Sequence, residues 1–458
     1  MMSLREASAA IGARVQGEAR FLSVSTDSRT LSRGALFVAL RGERFDGHRF
    51  LDVARERGAA AAMVDEESKA TAEAARLPLL FVGDTRLALG RLAGQWRARF
   101  DIPLIAVTGS NGKTTVKEMI AAILRAHFGE AEALATEGNL NNDIGVPLTL
   151  LRLRGAHAAA VIELGMNHPG ETASLAAIAS PTVALVNNAQ REHQEFMRNT
   201  AEVAREHAAV FDALRPGGIA VINADDEFAG YWRARLGGKR VRDFGIDRPA
   251  QVSARHASAD FGSRIELRAP EGEVRIDLHA SGRHNVANAC AAAASAIAAG
   301  ASLDAVARGL AAFRPVSGRM QRLIARSGAR LIDDSYNANP DSVRAAIDVL
   351  AAEAGTKFLL LGDMGEVGER GTEFHREVGR YARGRGIDRL YATGELCRAT
   401  VDAFGKGARH FSAIEALVTA AKEEVTSNTS ALVKGSRFMR MERVVQALAA
   451  DPQEAGMH

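Results

Sequence analysis

Hydrophobic and polar positions change period along the chain, and the changes divide it. From the N-terminus, short apolar runs alternate with helical spacing. Ala35–Leu40 predicts a strand, Gly47–Arg57 a helix, and Ala59–Val64 and Leu79–Val82 two more strands, the last directly after Pro78. In Thr85–Phe100 the apolar residues Leu87, Leu92 and Trp96 fall at helical spacing, predicting a helix that leads out of this small α/β unit. A new series opens at Ile102. Pro103–Val107 predicts a strand, a glycine-rich turn follows, and a long helix starts at Lys113. Further strands are predicted at Ala159–Glu163, Val183–Asn187 and Gly218–Asn223, with helical stretches between them. Strands alternating with helices imply a parallel, doubly wound sheet covered on both faces. Residues 250–280 alternate apolar and polar with few helix signals and predict one or two antiparallel hairpins, before a helix from about Asn285 to Ala299. The Pro and Gly in Phe313-Arg-Pro-Val-Ser-Gly318 mark a boundary. Beyond it Arg330–Asp334, Lys357–Gly362, Arg389–Ala392 and Ser430–Val433 read as strands separated by helices, a second α/β unit of Rossmann-like type. The expected fold is α/β in three domains, 1–83, 84–313 and 314–458, and 458 residues suffice for a sizeable core in each.

Composition narrows the function classes. A hydrophobic share of 47% with 25% charged residues is that of a globular protein in water. The net charge is only +3 and basic residues are interspersed with acidic ones, so no stripe argues for a nucleic-acid partner. The longest apolar stretches, such as Ala287–Ala299, are alanine-rich and fall short of a bilayer span, and the N-terminus lacks the pattern of a signal peptide. A cytoplasmic protein without membrane insertion is expected. Cys290 and Cys397 form neither a CxxC pair nor a metal-ligand spacing and read as buried, reduced thiols.

Candidate chemistry begins at Thr108-Gly-Ser-Asn-Gly-Lys-Thr-Thr115, which follows a predicted strand and opens a predicted helix. That is the context of a phosphate loop: glycines let the backbone approach, and consecutive N–H groups with the helix N-terminus form an anion cradle. Gly109, Ser110, Asn111, Gly112, Lys113, Thr114 and Thr115 are the candidate nucleotide contacts. Lys113 can reach the β- and γ-phosphates, and the Thr114 hydroxyl can serve Mg²⁺. Glu163 ends an apolar strand, where a doubly wound sheet places metal ligands, although an exposed acid or a helix cap would look the same. His193, in Arg191-Glu-His-Gln-Glu195, follows another strand on the same expected edge and is the third metal candidate; a lone loop histidine is more often just solvated.

Together these strings resemble the Mur ligase family, of which the short loop T-G-[ST]-N-G-K-[ST]-T is a hallmark, and the resemblance covers nearly the whole chain in order. Ser25-Thr-Asp-Ser-Arg29, Gly34–Leu40 and Asp46-Gly-His48 are similar to the family's UDP-binding domain, which implies substrate contacts from Ser28, Arg29 and His48. Gly138–Leu150 is similar to the substrate loop of the central domain and implies Asn141 and Asn142. His284-Asn-Val-Ala-Asn288 is similar to the helix start that contacts adenine, implying Asn285 and Asn288, either of which could instead cap the helix. Gly318-Arg319 and Asp333-Asp-Ser-Tyr-Asn-Ala-Asn-Pro340 open the last domain. There the resemblance implies Arg319 against nucleotide phosphates, Asp334 on a ribose hydroxyl, and Tyr336 and Asn337 on substrate.

Glu163–Glu171, Asp334–Pro340, Leu361-Gly-Asp-Met-Gly-Glu366 and Val433-Lys-Gly-Ser-Arg437 resemble the branch that adds D-alanyl-D-alanine to UDP-N-acetylmuramoyl-tripeptide. The DNPR string of the tripeptide-forming branch is absent. The resemblance implies ATP and Mg²⁺ as cofactors, a carboxylate phosphorylated to an acyl phosphate, an amine that displaces phosphate, and a monomeric enzyme. A generic P-loop NTPase would account for Thr108–Thr115 alone. One departure stands out. Where the family commonly keeps a carbamylated lysine that supports a second metal, this chain has His207, in Arg205-Glu-His-Ala-Ala-Val-Phe211. Val203, His207, Val210 and Phe211 share one helical face, so His207 is expected to point inward; either it or neighbouring Glu206 helps organise the metal and γ-phosphate without CO₂, or it is a satisfied interior histidine with no catalytic role.

Overall fold

The computed structural model describes residues 1–43, 45–259 and 262–450. Positions 451–458 of the expected third domain and the link at 260–261, inside the expected hairpins, lie outside the described residues.

Three main sheets carry the chain. The first has five strands in the order Arg14–Gln16, Leu79–Val82, Ala61–Asp65, Ala35–Val38, Ser23–Ser25; all pairs are parallel except the first. The helix Thr85–Arg97 leaves it, capped by Asp84, whose carboxylate accepts from Arg86 and Leu87 N–H. Arg97 at its end is fully buried and donates to Ala179 O (3.2 Å), tying this helix to the second unit.

The second sheet has nine strands. Ala133–Ala135, Ala159–Glu163, Leu104–Thr108, Val183–Val186, Ile219–Asn223, Arg240–Gly245 and Val252–Ala259 run parallel, then Gly262–Ala269 and Gly272–Leu278 add antiparallel. The expected strands are present within a residue or two. Ala133–Ala135 and Arg240–Gly245 are additions: three residues are too short to show a period, and Arg-Val-Arg-Asp-Phe-Gly carries too much charge to read as a buried strand. Leu104–Thr108 sits between Ala159–Glu163 and Val183–Val186, so the connections diverge on either side of it. Ligands bind at such a switch point, beyond the carboxyl ends of the strands.

The helix Lys113–Phe128 covers this centre and packs on Arg283–Ala298 and Leu303–Ala312. Small side chains allow that closeness: Ala289, Ala291–Ala294 and Ala296 are all fully buried. At Gly309 the approach is tightest, since a Cβ there would stand 2.5 Å from Ile123 Cα. The third sheet, in the order Gln321–Ile324, Arg330–Asp334, Thr429–Lys434, Thr356–Gly362, Arg389–Thr393, Ala408–Phe411, is parallel except for its first pair. Asn339 caps the following helix Pro340–Ala351. No helix among the described residues is long and apolar enough to cross a membrane.

Gly309→Ala forces the helix Lys113–Phe128 off its seat. We expect a loss of roughly 1–3 kcal/mol in stability, read as a lower urea midpoint by circular dichroism; an unchanged midpoint would contradict the packing described.

Candidate functional site

A cavity of about 1850 Å³ opens above the switch point, where all three units contribute walls. Its central wall is the loop Ser110–Thr115 with Asn141, Asn142, Glu163, His193, Asn285 and Asn288; Arg319, Asp334, Tyr336 and Asn337 face it from the third unit.

The loop is held from behind. Ser110 N–H donates to Asn188 O (3.1 Å), Asn111 N–H to Asn188 Oδ1 (2.8 Å), and Asn187 Nδ2 to Asn111 O (2.8 Å). Gln190 N–H donates to Ser110 Oγ (2.8 Å). Gly109 (φ +136°) and Gly112 (φ +81°) take left-handed conformations that favour glycine. A Cβ on Gly112 would stand 2.5 Å from Asn288 Oδ1 and 2.9 Å from Asn187 Nδ2, so any other residue would push these amides aside. Gly109 is in the loop but not on the cavity wall. The helix from Lys113 directs its first N–H groups, which have no intrahelical acceptor, at the cavity. The Lys113 ammonium donates to the loop's own Gly109 and Ser110 carbonyls and lies 3.3 Å from Glu192 Oε2.

Glu163 reaches the cavity from the end of its strand. Thr114 Oγ1 (3.1 Å) and Asn141 Nδ2 (2.8 Å) both donate to its Oε1, while Oε2 is buried without a hydrogen-bond partner. A buried carboxylate oxygen left unpaired beside a threonine hydroxyl suits a hard divalent cation, so Thr114 and Glu163 fit a magnesium site.

Sequence reading passed over Glu192. Its side chain is buried: Oε1 lies 2.8 Å from His207 Nε2, and Oε2 lies 3.6 Å from His193 Nε2. Burial works against its charge, but Lys113 and the His207 hydrogen bond outweigh it and hold the carboxyl at about 2. His207 does point inward, fully buried with Val203, Val210 and Phe211, and its Nδ1 lies 2.9 Å from Thr108 Oγ1. It stands one layer behind the cavity wall and touches the site's framework through Glu192 and Thr108. Burial lowers its pKa. Glu206 does not join it: its carboxylate accepts from Gly170 and Thr172 N–H (2.9 Å each). His193 is itself left-handed (φ +47°), and its Nδ1 meets Glu366 Oε2 of the third unit at 2.5 Å.

The third unit closes on the loop. Arg319 donates to Thr114 Oγ1 (3.2 Å) and lies 4.1 Å over the Tyr336 ring. Asn339 Nδ2 donates to Asn111 Oδ1 (2.9 Å). Asp334 pairs with the buried Lys434 and accepts from Met320 N–H (3.1 Å). Arg191 forms the main clasp, donating to Asp341 through both backbone and guanidinium and to both oxygens of Glu377 (2.7 and 3.0 Å). The pairings of Arg319 with Thr114, Asn339 with Asn111, and Arg191 with Asp341 and Glu377 are not readable from sequence, because these partners stand 150 or more residues apart.

Asn285 and Asn288 lie inside the helix Arg283–Ala298, whose N-cap is Gly282, so neither caps it. They form an amide chain: Asn187 Nδ2 donates to Asn288 Oδ1 (3.1 Å), Asn288 Nδ2 to Asn285 Oδ1 (3.2 Å), and Asn285 Nδ2 to Ser281 O (2.8 Å). Ser28, Arg29 and His48 are not on the cavity wall. The exposed Arg29 is forked onto Asp27. The ring of His48, expected on substrate, is buried: its Nδ1 lies 2.7 Å from Asp46 Oδ1 and its Nε2 accepts from Asp65 N–H (3.2 Å). Cys290 and Cys397 are buried and free; burial pushes the Cys290 thiol up to about 12.

A phosphate loop at a switch point, an unpaired carboxylate oxygen beside it and a third α/β unit closed on both define a nucleotide-dependent enzyme whose chemistry requires several domains to converge. The same organisation recurs in known proteins. Residues 20–97 match the Mur ligase family catalytic domain, 107–296 the Mur ligase middle domain, and 318–437 the Mur ligase glutamate ligase domain. The chain is 43% identical over 438 residues to the UDP-N-acetylmuramoyl-tripeptide–D-alanyl-D-alanine ligase of Escherichia coli, covering 93% of both chains. It is 32% identical to the Bacillus subtilis enzyme of that name, over 94% of this chain and 93% of the relative. The structure superposes on MurF from Acinetobacter baumannii with a TM-score of 0.88 at 33% identity, covering 97% of this chain and 98% of that one. On the Thermotoga maritima MurF ligase in complex with ADP the TM-score is 0.81 at 26% identity, covering 94% and 97%. This chain belongs to the Mur ligase family.

Arg191→Ala removes the clasp. We expect closure to weaken by on the order of 1–3 kcal/mol, seen as a larger radius of gyration in small-angle scattering. Hydrogen bonding to Arg191 holds Glu377 below the usual carboxylate range, so its contribution persists at neutral pH and is lost as pH falls through that depressed value. Identical scattering for the two proteins would sink this role.

Proposed function

We propose that this protein ligates D-alanyl-D-alanine to UDP-N-acetylmuramoyl-tripeptide at the expense of ATP, forming an amide and releasing ADP and phosphate in peptidoglycan precursor synthesis. The observation that carries the reading is the convergence of the third unit on the phosphate loop, where Arg319 meets Thr114 and Asn339 meets Asn111.

A carboxylate is a poor acyl donor. In the proposed sequence an oxygen of the substrate's terminal carboxylate attacks the γ-phosphorus of ATP, breaking the bond to ADP and giving an acyl phosphate. The free amine of D-alanyl-D-alanine then attacks the acyl carbon, the C–O bond breaks, and phosphate leaves. Loop N–H groups and Lys113 offset charge on the transferred phosphoryl. Lys113 must for this leave the carbonyls it now caps. Thr114 and Glu163 would hold one magnesium ion and His193 would serve a second; bound magnesium would supply charge neutralisation. Arg319 faces the nucleotide phosphates, and Asn285 and Asn288 lie toward the base. Tyr336 and Asn337 present the third unit's surface to the incoming dipeptide, while the first unit, through Ser28 and Arg29, takes the UDP moiety. Closure by Arg191 excludes water, which would otherwise hydrolyse the acyl phosphate. The protein acts in the cytoplasm, where ATP and the UDP-linked precursor meet.

ADP release should require both UDP-muramoyl-tripeptide and D-alanyl-D-alanine, and Lys113→Ala should lower it by about 100-fold or more with the far-ultraviolet dichroism unchanged. ADP release with free amino acids in place of the dipeptide, or near-normal ligation by the variant, would overturn the reading.

A further inference from the structure

Glu192 has no part in the chemistry so far, yet it is a buried charge held on both oxygens. Its Oε1 accepts from His207 Nε2–H (2.8 Å); the opposite ring nitrogen faces Thr108 Oγ1 (2.9 Å), which fits a neutral imidazole accepting from the hydroxyl. Thr108 ends the strand that carries the phosphate loop. The fully buried imidazole is therefore a bolt between that strand and the carboxylate. The other oxygen, Oε2, is aimed forward, 3.3 Å from Lys113 Nζ and 3.6 Å from His193 Nε2.

Charge balance then makes a demand. The ammonium of Lys113 is the nearest compensating charge for Glu192. When ATP draws that ammonium to its own phosphates, a buried carboxylate is left facing a highly charged anion. Uncompensated, such a charge is costly. A divalent cation restores the balance, and a carboxylate oxygen close to an imidazole nitrogen is a suitable donor pair.

We propose that Glu192 is a ligand, together with His193, for a divalent cation on the γ-phosphate side of the site, and that His207, braced on Thr108, is the positioning residue that aims it. This rests on the reading of the cavity as an ATP site. The chain then supplies from a side chain the anion needed there, so turnover is independent of bicarbonate.

The test uses the full chain with Mn²⁺ and a non-hydrolysable ATP analogue. Glu192→Gln keeps the shape and an acceptor for His207 but removes the charge. Calorimetry with metal-free ADP should show binding no weaker than to the unaltered protein, since the loop N–H groups are kept and Lys113 loses only a competing carboxylate. Failure of ADP to bind the unaltered protein would strike the nucleotide reading itself. Electron paramagnetic resonance should show one fewer bound Mn²⁺ per chain in Glu192→Gln, and ligation should fall by about 100-fold. His207→Ala should weaken that Mn²⁺ site by roughly 10–100-fold, and His207→Gln, which retains an N–H donor, should recover part of it. If His207→Ala does not fold, the glutamine variant alone carries the comparison: weaker Mn²⁺ binding at that site than in the unaltered protein supports the positioning role, and wild-type affinity contradicts it. Unchanged Mn²⁺ stoichiometry in Glu192→Gln, or loss of wild-type turnover on removing bicarbonate, overturns the proposal.

Discussion

The site depends on one constraint: a loop of backbone must offer its N–H groups to an anion while nothing fills the space in front of it. Satisfying it requires glycine at 112, where a side chain would collide with Asn288, and a scaffold behind the loop rigid enough to replace the missing contacts. Asn187, Asn188 and Gln190 are that scaffold, since they take the hydrogen bonds of Ser110 and Asn111. The amides of Asn288 and Asn285 extend it to the start of a second helix. The alanine-rich face of that helix and Gly309 on its neighbour then let the helix after the loop sit close enough to aim its N-terminus.

Around this cradle the charges are arranged in layers. Lys113 is parked on its own loop and against Glu192, a partner it can leave when phosphate arrives. Glu192 in turn is fixed from behind by His207. On the other side Glu163 has one oxygen satisfied and one bare. The third unit adds Arg319 from the front, and Arg191 ties that unit down through two carboxylates. Acyl transfer in water needs this order, because a mixed anhydride survives only where the solvent is shut out.

The phosphate loop was legible because its logic is contiguous: strand, glycines, lysine and helix follow one another in eight residues that the Leu104–Thr108 strand and Lys113 helix confirm. Glu163 was legible because a strand end is a local feature. The inward turn of His207 followed from helical spacing. What it touches did not, because Thr108 is 99 residues away and Glu192 lies across a loop. Glu192 itself sits in a polar string, Arg191–Glu195, where burial has no sequence signature. The partners of His48 were equally hidden: its motif was visible, but not that its two ring nitrogens meet Asp46 and Asp65.

The central claim is that this cavity activates a carboxylate by phosphorylation before an amine attacks it. Isotope transfer tests it directly. With ¹⁸O in the terminal carboxylate of the UDP-muramoyl-tripeptide, ligation to D-alanyl-D-alanine should deliver one ¹⁸O to each inorganic phosphate released, because the oxygen that attacks phosphorus leaves with it. Phosphate free of ¹⁸O would contradict the account.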